Sequence, residues 1–142
     1  MSGWYDMPQM IIPDELKKIF EKVDSVVFET AGKEGNQNAV QVFWKKVLND
    51  KTVLLIGDFT KLNEKDLIED KDVRISYWDP EEEKGYQIKG IGRYHTDGSI
   101  YEVGRKFRHS KSKKPDSAPE GVIKVKVTGI SIMRPGPCYY RR

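Results

Sequence analysis

Long apolar runs are missing from this chain: none approaches the roughly 18–20 residues that cross a bilayer as a helix. Charge of one sign is scarce as well, since 25 basic and 22 acidic residues leave a formal net charge of +3. A dedicated nucleic-acid binder carries a stronger and more clustered basic excess, so the mild balance favours a small phosphate-bearing ligand over a polymer. Cysteine is limited to Cys138, which excludes an internal disulfide and any zinc site built on paired cysteines. His95 and His109 are the only histidines; neither keeps the company of a metal site, and both are expected on the surface with no metal. The first residues, MSGWYDMPQMIIPDELKK, lack a basic start and an apolar core of signal-peptide length. A reducing cytoplasm is the expected compartment, with no membrane association.

At 142 residues the chain fits one domain, which commonly runs about 100–150 residues. That domain is expected over 1–142, with an N-terminal arm at 1–12 and an extended tail at 134–142. Aromatics at 11% can anchor a core, while 33% charged residues and a mean hydropathy of −0.66 make the surface polar. So small and polar a domain gains from a partner copy that covers apolar surface.

The most informative stretch is GYQIKGIGRYHTDG (85–98). Tyr86, Ile88, Gly90, Gly92 and Tyr94 share one face and Gln87, Lys89, Ile91 and Arg93 the other, the period of a strand with one buried face. Two glycines on that face leave room for another chain or a ligand. They do not make a dinucleotide motif, because they lie within a strand and His95 stands where a third glycine belongs. GDFTKLN (57–63) follows an apolar strand and turns through Gly57 into a polar segment bearing Lys61 and Asn63. Free backbone N–H groups beside a lysine suit a phosphate.

Elsewhere, Pro13 followed by Asp14 and Glu15 predicts a helix start, and Leu16, Ile19, Phe20 and Val23 continue it as one apolar stripe. Strands are predicted at 25–31, 38–48, 52–56, 73–78 and from 85, with Val40, Val42 and Trp44 sharing a face with Leu48 in the second. Short helices are predicted at 63–70 and around Ile100 to Phe107, and a loop at 109–121. In the sixth strand Ile123, Val125 and Val127 point inward, and the apolar phase shifts across Gly129 to Ile130 and Ile132 as at a β-bulge. Six antiparallel strands with short helices describe a mainly β chain, a small closed barrel.

The strings VVFETAGKEGNQNAVQV (26–42), TVLLIGDF (52–59), DVRISYWD (72–79), GYQIKG (85–90), HTDG (95–98) and RPGP (134–137), in this order, resemble the pyridoxamine 5′-phosphate oxidase-like family. The resemblance implies an FMN-binding split barrel, six-stranded and Greek-key, forming a homodimer with two FMN molecules between its subunits. It places Asn38, Ala39, Val40, Gln41 and Val42 along the flavin ring. Gly57, Asp58, Phe59, Lys61, Leu62 and Asn63 fall in the segment that holds the ribityl chain and phosphate. The tail, with Tyr139 and Tyr140 near Arg141, is expected to cover the partner subunit's cofactor. Many members carry a Lys-Thr pair where Leu62-Asn63 stands here, so Lys61 lies one residue early and Asn63 replaces the threonine. No basic and histidine constellation for pyridoxal phosphate accompanies these strings, which argues against vitamin B6 oxidation. The implied function is an FMN-dependent oxidoreductase acting on a small-molecule redox substrate or partner, with no evident catalytic acid or base. Its rivals are a non-catalytic FMN carrier and a small nucleic-acid-binding barrel using Lys124, Lys126 and the KSKK run (111–114).

Overall fold

Phe43 divides what the sequence presents as one strand. In the computed structural model, which describes residues 11–31, 37–57, 71–111 and 119–133, the predicted second strand is two. They are β2 (Gln37–Val42) and β3 (Trp44–Asn49), on either side of Phe43. The other strands are β1 (Val26–Ala31), β4 (Thr52–Gly57), β5 (Lys71–Asp79), β6 (Lys84–His95) and β7 (Gly121–Met133). Two helices, α1 (Asp14–Lys22) and α2 (Gly98–Lys111), complete the described elements. The predicted helix at 63–70 lies outside the described residues.

All pairings are antiparallel, in the order β2-β1-β5-β6-β7-β4-β3. β2 and β3 therefore stand at opposite ends of the sheet although one residue joins them. Across a flat sheet those ends would be roughly 29 Å apart at about 4.8 Å per strand, whereas neighbouring Cα atoms are about 3.8 Å apart. The sheet must curl until its edges meet at Phe43. Beyond that corner β2 follows β1 and β3 follows β4, which leaves the barrel split. The expected fold class holds: the predicted count of six becomes seven because the bent strand counts twice. β4 joins β5-β6-β7 by a long connection and lies beside β7, a Greek-key arrangement.

The bend also shifts the side-chain phase, correcting the expected shared face. Val40 and Val42 pack on the barrel core, yet beyond Phe43 it is Val47 that does so. Trp44 and Leu48 pack on a second cluster, Leu54, Ile56 and Val122, with Ile100, Tyr101, Val103 and Phe107 of α2. β4 is thus buried on both faces, which explains its unbroken TVLLI run.

Inside the barrel, Val53, Leu55, Val73, Ile75, Ile88, Ile123, Val125 and Val127 are buried together. Leu16, Ile19 and Phe20 of α1 join this core. Phe20 meets Tyr77 edge-on at 5.6 Å between ring centroids, a favoured geometry for aromatic pairs. Burying such a side chain contributes roughly 1.5–3 kcal/mol. Pro13 is the residue before α1 rather than its first; its carbonyl accepts from Lys17 N at 3.0 Å. Acids at Asp14 and Glu15 and Lys22 in the last turn suit the helix dipole.

The expected β-bulge is present: Lys89 pairs with Gly129 and Gly90 with Val127, leaving Thr128 as the extra residue, its Oγ1 donating to Lys89 O at 3.2 Å. The room at Gly90 and Gly92 is filled from within the barrel rather than open to a ligand. A Cβ on Gly90 would meet the Lys126 carbonyl and Val125 Cγ1, and one on Gly92 the Val73 methyls.

Lys45 is the buried exception in β3, with its ammonium donating to the Val23 carbonyl. Desolvation lowers its pKa, against the opposing pull of Asp24 and Glu21. The unfolded chain then binds more protons than the folded one between the lowered and ordinary values, and stability rises with pH there. Below that window both states are protonated and the slope vanishes. Urea titrations from pH 7 to 10.5 are expected to show the stability of the wild type rising with pH relative to that of Lys45→Met, a difference in which the opposite pull of Lys17, Lys22 and Tyr77, whose pKa values are raised, cancels. An identical profile in the variant would refute the assignment.

Candidate functional site

Where the curled edges meet, β4 delivers Gly57 to the mouth of the split. Trp44 pairs with Ile56, so Gly57 stands level with Phe43. A cleft of about 250 Å³ lies here, lined by Gln41, Val42, Phe43, Trp44, Ile56, Gly57 and Arg108. Phe43 is 58% exposed, a large aromatic at the mouth. Among the described residues, no atom lies within 4 Å of a Cβ position on Gly57.

Arg108 arrives from α2, and the helix can bring it there because Gly104 lets it sit down on the sheet. Gly104 is buried, and a Cβ there would crowd Val122 and come within 3.0 Å of Ile56 Cγ1. Arg108 follows four residues later, on the same helix face. Tyr101 Oη donates to Pro119 O at 2.7 Å, tying the helix to the segment before β7. Lys46 lies 5.2 Å from the centroid of the Phe107 ring, a cation–π contact across the α2–β3 seam. α2 is longer than the sequence predicts and takes in His109, Ser110 and Lys111, expected to be loop. Arg108, His109 and Lys111 in the last turn complement its negative end.

Several of the residues expected at the site converge. Gln41, Val42 and Gly57 line the cleft, and Gln41 Nε2 donates to Ser25 Oγ at 2.8 Å. Ala39 is exposed on β2, and Asn38 pairs with Thr30 along β1. Val40 and Val42 turn their side chains to the barrel core; what these two positions offer at the open edge is mainly backbone. Asp58, Phe59, Lys61, Leu62, Asn63 and Tyr139 lie outside the described residues, as does Cys138.

Sequence reasoning missed Phe43 and Arg108 as cleft residues. The cluster RKFRH (105–109) was the available signal for the second, but only the fold shows which of its cations faces the split. His95 is half-buried at the end of β6, and His109 is exposed. Trp78, expected in a core or a dimer seam, is 49% exposed.

No protein-family model matches the chain. An uncharacterized protein of Methanocaldococcus jannaschii is 29% identical over 128 residues, spanning 89% of this chain and 83% of that protein. Two solved forms of HupZ from Group A Streptococcus superpose with TM-scores of 0.74 and 0.69 at 20% and 22% identity, over 87% and 89% of this chain and all of each of theirs. A Clostridium acetobutylicum protein of the pyridoxinephosphate oxidase family, related to general stress protein 26 of B. subtilis, gives 0.62 at 15% identity over 84% of this chain and 86% of its own. An FMN-binding protein from Syntrophomonas wolfei gives 0.60 at 11% over 80% of both. The split barrel is common to all of these solved structures and to this chain.

Proposed function

We propose that this chain binds FMN in the split of its barrel, as half of a site completed by a second copy, and serves as an oxidoreductase toward a small redox partner. The cleft at the Phe43 corner carries the reading. It brings Gln41, Val42 and Gly57, positions that the family resemblance assigns to flavin, against an exposed aromatic and a cation. A flavin needs a flat apolar wall, backbone groups for its polar ring edge and positive charge for its phosphate. Phe43 and Trp44 fit the first need, the open edge of β2 the second, and Arg108 with Lys61 the third. The solved neighbour from S. wolfei, an FMN-binding protein with this fold, supports the same ligand. At about 250 Å³ the cleft is smaller than the roughly 300–1,000 Å³ usual for ligand sites, in keeping with a site that a second copy completes. When bound, the flavin supplies the electron chemistry; the residues named here hold and orient it.

Titration of the purified protein with FMN and with riboflavin, followed by flavin absorbance, tests this. FMN is expected to bind well ahead of riboflavin, and the flavin-loaded protein is expected to sediment as a dimer. Binding of neither flavin would sink the reading. Equal affinities would remove the phosphate from it, and a flavin-loaded monomer would remove the second copy.

A further inference from the structure

A larger groove, about 710 Å³, opens beside the α1–β1 connection and the end of the β5–β6 hairpin. Trp78, Tyr77, Tyr86 and Val27 form its apolar wall. Trp78 is 49% and Val27 39% exposed. Tyr77, stacked on Tyr86 at 5.2 Å, is only 6% exposed, and its buried hydroxyl has no hydrogen-bond partner among the described residues. The charged groups on the lining are Lys22, Asp24, Asp79 and Glu81, and Lys22 already pairs with Glu81. The surplus is acidic.

We propose that the groove is the seat of this chain's own C-terminal segment, RPGPCYYRR (134–142). β7 ends at Met133, which pairs with Gly85, and Gly85 both lines the groove and pairs with Trp78. At about 4.8 Å per strand the segment begins roughly 10 Å from the Trp78 backbone, and its nine residues reach roughly 30 Å when extended. Arg134, Arg141 and Arg142 with no acid complement Asp24 and Asp79. Pro135 and Pro137 favour the extended polyproline conformation that docks on aromatic-lined grooves through its carbonyls and rings. Tyr139 and Tyr140 add flat faces for Trp78. The inference does not depend on what the cleft binds.

Cys138, the only cysteine, gives a direct test in the full-length protein. A bimane dye attached there is quenched when a tryptophan touches it. Emission is expected to be low in the folded protein, to recover on unfolding and in Trp78→Phe, and to stay low in Trp44→Phe and Trp4→Phe. Asp24→Lys is expected to raise it in part. Emission indifferent to Trp78→Phe would overturn the proposal, and recovery in Trp44→Phe instead would put the segment at the cleft. Labelled Trp78→Phe chains mixed with excess unlabelled wild type should stay bright. Renewed quenching there would mean that the segment seats on a second copy, overturning the assignment to its own chain.

Discussion

Gly90→Ala is expected to lose on the order of 3 kcal/mol of stability, the upper end of what overpacking of a core costs. Gly90 is buried in β6 beside the bulge, against the backbone of β7. An added Cβ would meet the Lys126 carbonyl oxygen and Val125 Cγ1 at 2.7 Å. The valine methyl can rotate away, but the carbonyl is backbone of the paired strand, and moving it disturbs the longest ladder of the sheet. Gly92→Ala should cost less, because its contacts are Val73 methyls at 3.0 and 3.2 Å, which shift more easily. Gly57→Ala meets nothing within 4 Å among the described residues and should lie within about 0.5 kcal/mol of the wild type. Urea unfolding of the three variants orders them, and the melting point of Gly90→Ala should fall by on the order of 10 °C. If Gly90→Ala matched Gly57→Ala, the close approach of β6 and β7 would be wrong.

The same ladder shows how far the sequence alone could go. The two faces of β6 and the bulge near Gly129 were legible because period two and its interruption are written directly in GYQIKGIGRYH and GVIKVKVTGISIM. The split at Phe43 was hidden by coincidence of phase. Val40, Val42, Trp44 and Leu48 all fall on even positions, so the run looks like one uninterrupted strand. In fact the first two face the barrel and the last two face α2. No local signal reports that change, because it depends on a helix that comes half a chain later. Buried Lys45 hides it further, since a lysine reads as solvent-facing until a carbonyl is found for it. Of the cleft's lining, the sequence made legible Gln41 and Val42, which are consecutive, and Gly57. Arg108 could not be placed from sequence, because its position depends on how closely Gly104 lets α2 approach Ile56 and Val122.

Arg108 and Lys61 are expected to act on the flavin's phosphate and not on its ring. Lys61 stands in the sequence one residue before the position that the family resemblance gives to a lysine, and Arg108 lines the cleft from α2. A charge-assisted hydrogen bond contributes roughly 1.5–3 kcal/mol, so Lys61→Ala and Arg108→Gln should each weaken FMN binding about tenfold or more. Riboflavin, which lacks the phosphate, should bind each variant as it binds the wild type. Arg108 also packs as a half-buried residue, and a parallel unfolding curve for Arg108→Gln separates lost packing from lost contact. If both cations grip one phosphate, the double variant should lose less or more than the summed single losses, the mark of groups sharing a partner. Added salt should weaken FMN binding to the wild type more than to the double variant, because screening acts on the charge the variants lack. An Arg108→Gln protein that lost FMN and riboflavin in equal measure would place the guanidinium on the ring edge. A preference for FMN unchanged in both single variants and in the double variant would move the phosphate out of reach of both cations.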